Sequence, residues 1–324
     1  MTRVPSRPLA SLSLDVDNLW SYMKIHGDPG WQDRPSYLDE FVPYMLEVLE
    51  RADVRITFFI VGIDAERDEN RSALRSIVEA GHEVGNHSHE HEPWLHEYTP
   101  EQVRDELTRA HRAIERASGQ TPEGFRGPGF SWSPEVLTAL HELGYRYDAS
   151  TLPTWLGPIA RAYYFWSARL TPEERERRKG LFGQWRDGRR PVAPYWWSMG
   201  GQDRLLEIPV TTIPVLRTPF HFSYLAYLAR FSRPLMSAYL KLALLMCRLM
   251  RVEPSFLLHP LDVIGGDKAP QLAFFPGMDL SSETKTELLL SVLQEIHRHF
   301  DIVPMGAHAR ACAARASLPT RIPA

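Results

Sequence analysis

An α/β fold built on a mostly parallel sheet is predicted by three observations. Short apolar runs that suit strands buried on both faces recur along the chain, first at residues 10–16 (ASLSLDV) and 53–61 (DVRITFFIV). Segments with helical spacing of apolar residues alternate with them. Acidic and histidine residues gather where those runs end, and parallel α/β folds build their sites at the carboxyl ends of strands.

The elements follow in order. Between the first two strands Tyr37, Leu38, Phe41, Val42, Tyr44, Met45, Val48 and Leu49 recur at helical spacing, with Ser36 as a cap. Arg71 to Ala80 reads as a helix closed by Gly81, HEVGNH as a strand edge, and Thr99 to Gly119 as a long amphipathic helix. Pro134 to Gly144 adds a helix and YRYDAS a strand. Repeated strand–helix units imply a parallel sheet, either open or closed into a barrel. Residues 151–204 break the rhythm as an insertion, with a charged helix-like run (PEERERRKG) and the aromatic cluster Tyr195, Trp196 and Trp197. LLEIPVTT then reads as a strand. Residues 219–252 are apolar but carry Arg230, Arg233, Lys241, Arg248 and Arg251, so no stretch is charge-free over the roughly 20 residues of a membrane span. FLLHP resumes the strand pattern, Ser282 to Phe300 is a helix, DIVPM follows, and the last dozen residues are expected to be loose.

With 324 residues, 44% of them hydrophobic, the chain can bury one large core. A net charge of -3 from 37 basic and 40 acidic residues gives no footprint for nucleic acid. Cys247 and Cys312 form no CxxC pair, and no apolar leader precedes the first strand. The expected location is therefore cytoplasmic, or the inner face of a membrane.

Two signals carry chemistry. Asp15 and Asp17 lie two apart at a strand end, so both carboxylates are expected to face one site. The run His87, Ser88, His89, Glu90, His91 holds three histidines. On one helical turn His87 and His91 would share a face and a cation, with His89 pointing elsewhere. Asp17 with these two histidines makes a facial triad that leaves room for water and substrate. His82, His89 and His96 are not expected to be ligands.

LDVDN at 14–18, TFFIVG at 57–62, GHEVGNHSHEH at 81–91, FRGPGFS at 125–131, YDAS at 147–150 and LLHP at 257–260 occur in the order of the polysaccharide deacetylase motifs. The chain resembles that family over about residues 10–150 and 205–305, and the fold expected with it is a distorted parallel (β/α) barrel carrying the inserted segment. The resemblance implies that Asp15 is the general base, that Asp17, His87 and His91 bind one divalent ion, and that Arg126 braces the base. It implies His259 as general acid, with Leu257 beside the acyl pocket. The ion would be zinc, or else cobalt, nickel or manganese. Gly129 and Phe130 stand where the oxyanion donor is expected, and the DVD spacing departs from paired adjacent aspartates. Trp196 is a candidate sugar platform, and Glu207 or Asp148 could hydrogen-bond His259.

The function expected is hydrolysis of an N-acetyl or N-formyl group on an amino sugar, free, polymeric or lipid-linked. A bound divalent ion would polarise the amide, Asp15 would take the proton of the attacking water, and His259 would protonate the departing amine. The alternatives are an allantoinase-like hydrolase of a small cyclic amide and a non-catalytic sugar-binding relative. Residues 219–252 could rest on a membrane surface, or else pack on the barrel or on another subunit.

Overall fold

The first strand, β1 (Leu9–Asp15), sets the architecture through its alternation. Ala10, Leu12 and Leu14 join the main apolar core. Ser11, Ser13 and Asp15 point to the opposite face, where Ser13 and Asp15 both bond Arg126. The computed structural model describes residues 7–157, 176, 185–315 and 317–323.

Nine further strands join β1: β2 (Thr57–Ile60), β3 (Glu83–Asn86), β4 (Gly124–Phe125), β5 (Tyr147–Asp148), β6 (Tyr195–Gly200), β7 (Asp203–Glu207), β8 (Ser255–Leu258), β9 (Asp301–Val303) and β10 (Thr320–Arg321). Their order is β10-β6-β7-β5-β4-β3-β2-β1-β8, with β9 also on β1. Every pair is parallel except β6 with β7. The sheet bends round until Thr211 N donates to Ser255 O (3.1 Å) and Ser255 N to Thr211 Oγ1 (2.8 Å), a thin seam that closes a distorted barrel.

The helices are α1 (Leu19–His26), α2 (Leu38–Arg51), α3 (Gly62–Glu66), α4 (Arg71–Glu79), α5 (Pro100–Ser118), α6 (Pro134–Glu142), α7 (Phe222–Phe231), α8 (Arg233–Leu249), α9 (Ser282–His297) and α10 (Met305–Ala313). Local chemistry fixes their ends. Thr99 and Gln102 form a reciprocal capping box on α5, whose last turn ends on Gly119 at φ 80. Ser133 caps α6 and Ser281 caps α9.

Several expected boundaries are corrected. β2 begins only at Thr57, because Asp53 takes a left-handed conformation (φ 51) that reverses the chain after α2. Tyr195–Gly200, expected inside the insertion, is a sheet strand paired with β7. The charged run at 172–180 lies outside the described residues apart from Glu176. The tail expected to be loose contributes β10, which pairs Thr320 with Trp196 and Arg321 with Trp197. Residues 219–252 are helical as two helices, parted at Ser232, which is extended (φ -162) and caps α8.

Candidate active site

Register brings the candidate residues together. Asp15 on β1 lies opposite Phe59 on β2, Ile60 opposite Asn86 on β3, and Asn86 opposite Phe125 on β4. On the other flank Leu14 lies opposite Leu258. Asp15, His87, Arg126 and His259 therefore all stand at the carboxyl ends of adjacent parallel strands.

β1 ends at Asp15, and Asp17 N turns back to donate to Asp15 O (2.9 Å), so Asp17 belongs to a loop and not to the strand. Asn18 holds that loop. Its Oδ1 accepts from Leu19 N (2.8 Å) and Tyr37 N (3.2 Å), and its Nδ2 donates to Asp64 Oδ1 (2.8 Å). Tyr37 also donates its hydroxyl to the Asp17 carbonyl.

The histidine segment is not a helical turn. After β3 it is a loop in which Ser88 (φ 62) and His91 (φ 54) are both left-handed. Buried polar groups hold it in place. Asn86 Oδ1 accepts from Ser88 N (2.8 Å), and Glu106 Oε1 on α5 accepts from His89 N (2.9 Å) and Glu90 N (2.7 Å). Gly62 donates its N–H to Ser88 O (2.8 Å), and a Cβ there would lie 2.6 Å from Ala110 Cα and 2.7 Å from His89 Nδ1. Only glycine lets the loop and α5 approach so closely.

Asp17 Oδ1 lies 3.0 Å from His91 Nε2 and 3.6 Å from His87 Nε2, and one ligand atom from each residue falls within 4.8 Å of the others. His87 Nδ1 sits 2.7 Å from Arg126 O, an acceptor, so it carries the proton. Its Nε2 then faces Asp17 Oδ1, which is buried and has no hydrogen-bond partner. A carboxylate oxygen and two imidazole nitrogens converging in this way fit a cation between them. Burial alone would raise the Asp17 carboxyl, but His91 and His87 outweigh it and hold it well below the usual carboxylate range. Burial would depress the His87 imidazolium, and Asp15 and Asp17 reverse that and raise it.

Arg126 is fully buried. Its Nη1 donates to Asp15 Oδ1 (2.7 Å) and Ser13 Oγ (2.8 Å), its Nε donates to Ala149 O (3.1 Å), and its guanidinium lies 4.4 Å from the Phe59 ring centre. One residue thus braces Asp15 with its side chain and orients His87 with its carbonyl.

His259 follows β8 with its side chain 26% exposed, and its partner is Asp262. The His259 N–H donates to Asp262 Oδ2 (2.8 Å), which lies 3.8 Å from Nδ1. Burial opposes the charged ring, but Asp262 wins and pushes it up to about 9. Lys285 pins this turn by donating to Leu261 O (2.7 Å) and Ile264 O (2.9 Å). Glu207 and Asp148, expected beside His259, are engaged elsewhere. Glu207 accepts from Thr151 and from Trp197 Nε1 (3.0 Å), and Asp148 from Ser150 and from Ala149 N (2.9 Å).

The remaining candidates divide. Leu257 is fully buried opposite Ser13, apart from the outward-packed Phe256 and Leu258. Gly129 (φ 59) and Phe130 (φ 61) form a turn in which the Phe130 N–H is spent on Gly127 O (3.0 Å). Trp196 belongs to the core with Phe59, Tyr147 and Met305, beneath the Arg204 guanidinium, so its ring is not free to stack on a sugar. His89 is fully buried with neither ring nitrogen bonded, His82 accepts from Ile56 N (3.2 Å), and His96 bonds Ser131 (2.8 Å). Sequence reading missed Asn18, Asn86, Glu106, Asp262 and His221. The first two lie inside quoted motifs, Asp262 lies two residues beyond the LLHP motif, and Glu106 and His221 are near the site only in space.

Residues 28–147 match the family model described as polysaccharide deacetylase. A peptidoglycan-N-acetylglucosamine deacetylase of Bacillus cereus is 32% identical over 89 residues, covering 28% of this chain and 31% of that protein. A chitooligosaccharide deacetylase of Bradyrhizobium sp. is 36% identical over 103 residues, covering 32% of this chain and 46% of its own length. The chain thus spans less than half the length of either curated relative. A solved structure from Mycobacterium smegmatis, assigned as a polysaccharide deacetylase, superposes with a TM-score of 0.60 at 20% identity over 98% of this chain and 95% of that one. That likeness extends the fold along nearly the whole chain.

Proposed function

We propose that this chain, whose residues 28–147 match the polysaccharide deacetylase family model, is a metal-dependent hydrolase that removes an acyl group from the nitrogen of an amino sugar. The observation that carries the reading is the convergence of Asp17, His87 and His91 beside an Asp15 already braced by Arg126. These three residues would hold one divalent ion, with zinc the first choice for a carboxylate and two imidazoles. When bound, such an ion supplies Lewis acidity toward a water and an amide oxygen.

The chain's own residues supply the proton transfers. Asp15 stands opposite Phe59 at the strand end and would take a proton from the attacking water, while Arg126 fixes its carboxylate through Nη1. Arg126 also keeps the His87 ring oriented through its carbonyl. His259 carries a proton through neutral pH because Asp262 raises it to about 9, so it would protonate the nitrogen as the C–N bond breaks. Leu257 would line the acyl pocket, and the Gly129 N–H is the candidate oxyanion donor. The products are a free amine on the sugar and a carboxylic acid.

Metal analysis of purified protein, together with amine release from a panel of N-acetyl and N-formyl amino sugars, tests this reading. Chelation should abolish release and zinc should restore it. Release from a cyclic amide in place of every amino sugar would overturn it. The finer form of the substrate, a lipid-linked amino sugar met at a membrane surface, draws its support from the α7–α8 hairpin.

A further inference from the structure

Helices α7 and α8 carry an apolar face that the barrel does not cover. Their inner residues, Phe222 and Leu225 on α7 and Met236, Leu240, Ala243, Leu244 and Cys247 on α8, pack into the main core. At helical spacing Leu235, Tyr239, Leu242 and Met246 would share one face, but Tyr239 and Met246 lean on the core while Leu235 and Leu242 do not. The outer stripe of α8 is Leu235, Leu242, Leu245 and Leu249, each between 44% and 68% exposed. Their spacing of seven, three and four residues keeps them on one side of the helix. On α7 Tyr227 and Phe231 continue the surface at 50% and 70% exposure.

Charge says what covers it. Residues 219–252 hold five basic side chains and no acidic one, in a chain whose net charge is -3. Arg230 is matched by Asp279 at 2.9 Å. Among the described residues Arg233, Lys241 and Arg251 make no ion pair. Lys241 and Arg248 are seven apart and border one edge of the leucine stripe, where the Arg248 guanidinium lies 3.3 Å from His299 Nδ1 and the Lys241 ammonium can extend past the leucines. A second copy seated on this face would set the unmatched positive charges of one chain against those of the other. No described helix is long and apolar enough to cross a membrane, so this face would meet a bilayer along its surface.

The first turn of α7 adjoins the active site, and its last turn carries the exposed aromatic rings. His259 lies 6.0 Å from His221 between ring centres, His221 packs edge-on to Tyr224 at 4.7 Å, and Tyr227 meets Phe231 at 5.3 Å. We propose that the α7–α8 hairpin docks on an anionic lipid surface and so presents the amino sugar of a lipid-linked substrate to the site beside His259. The docking stands on the hairpin alone, whereas the substrate half rests on the deacylase reading above.

Flotation of the full-length chain separates the two. Wild-type protein should rise with vesicles of phosphatidylcholine containing phosphatidylglycerol at low salt, and stay behind with phosphatidylcholine alone. A variant carrying Arg233→Gln, Lys241→Gln and Arg251→Gln should bind about fivefold more weakly for each charge removed. A Leu242→Ser, Leu245→Ser, Leu249→Ser variant should lose flotation altogether. Both should keep wild-type turnover of a soluble N-acetylated oligosaccharide, which also reports that they fold. Wild-type protein that stays soluble with both vesicles overturns the docking, as does a dimer in sedimentation that the serine variant dissociates. Flotation by Asp17→Ala, with no amine released by wild type from any sugar, would leave docking intact and remove only the substrate half.

Discussion

Asp17, His87 and His91 at one end of the barrel and Glu253, His308 and Cys312 at the other are both clusters of metal-ligand types with donor atoms within 4.8 Å. Their surroundings differ. Glu253 already has a cation, because Arg315 pairs with it, and its Oε1 accepts from Leu9 N (3.1 Å). His308 sits 3.3 Å from Glu253 Oε2 and bonds Ser11 Oγ (2.9 Å), while burial pushes the Cys312 thiol up to about 11. At the other end the nearest guanidinium, Arg126, is committed to Asp15, and Asp17 Oδ1 is left without a hydrogen bond. Proximity of ligands therefore says less than whether their charge is already balanced.

That contrast can be broken most directly by metal content. Asp17→Ala or His87→Ala should lose the ion and lower kcat by more than about 10⁴-fold, beyond what acid–base catalysis alone contributes. Cys312→Ser should leave the stoichiometry at one ion per chain. A second ion that disappears in Cys312→Ser would show that the Glu253 cluster binds as well.

Asp15→Asn sharpens the picture at the first cluster, since Asp15 is held by Arg126 rather than shared among the ligands. It should keep the metal while kcat falls by about 10²- to 10⁴-fold. Loss of metal together with rate would make Asp15 a ligand and not the base.

A smaller effect is expected from Asp262→Asn. The charged His259 ring persists up to about 9, so the rate should fall as pH rises through that value. Without the Asp262 charge the alkaline limb should move down toward the ordinary histidine value of 6.5. A limb that stays in place in the pH–rate profile would assign it to another group.

The smallest effect lies at the opposite end. Burial would raise the Glu253 carboxyl, yet His308 and Arg315 outweigh it and hold it down at about 2. A depressed carboxyl stabilises the fold above its unfolded value of 4.5 and loses that contribution as pH falls toward 2. Glu253→Gln should therefore cost on the order of 2 kcal/mol near neutral pH. The gap in Tm from wild type should close on acidification, and a gap independent of pH would mean that packing rather than charge is lost.

The sequence alone carries the strand–helix alternation and the candidate residues Asp15, Asp17, His87, His91, Arg126 and His259, because motif order and apolar period are local properties. It also reached the convergence of His87 and His91, though for the wrong reason, since left-handed turns at Ser88 and His91 leave no apolar period to read. What holds these groups became legible in the folded chain. Glu106 reaches the histidine loop from α5, Asp262 takes the place expected of Glu207 or Asp148, and Trp196 is drawn into the core by β10, a strand from a tail expected to be loose. The first and the last are pairings between residues far apart in the chain, whereas Asp262 is only three residues from His259 and acts through a local turn that no apolar period marks. Such pairings depend on strand register and on the burial of individual polar atoms, neither of which a periodic pattern encodes.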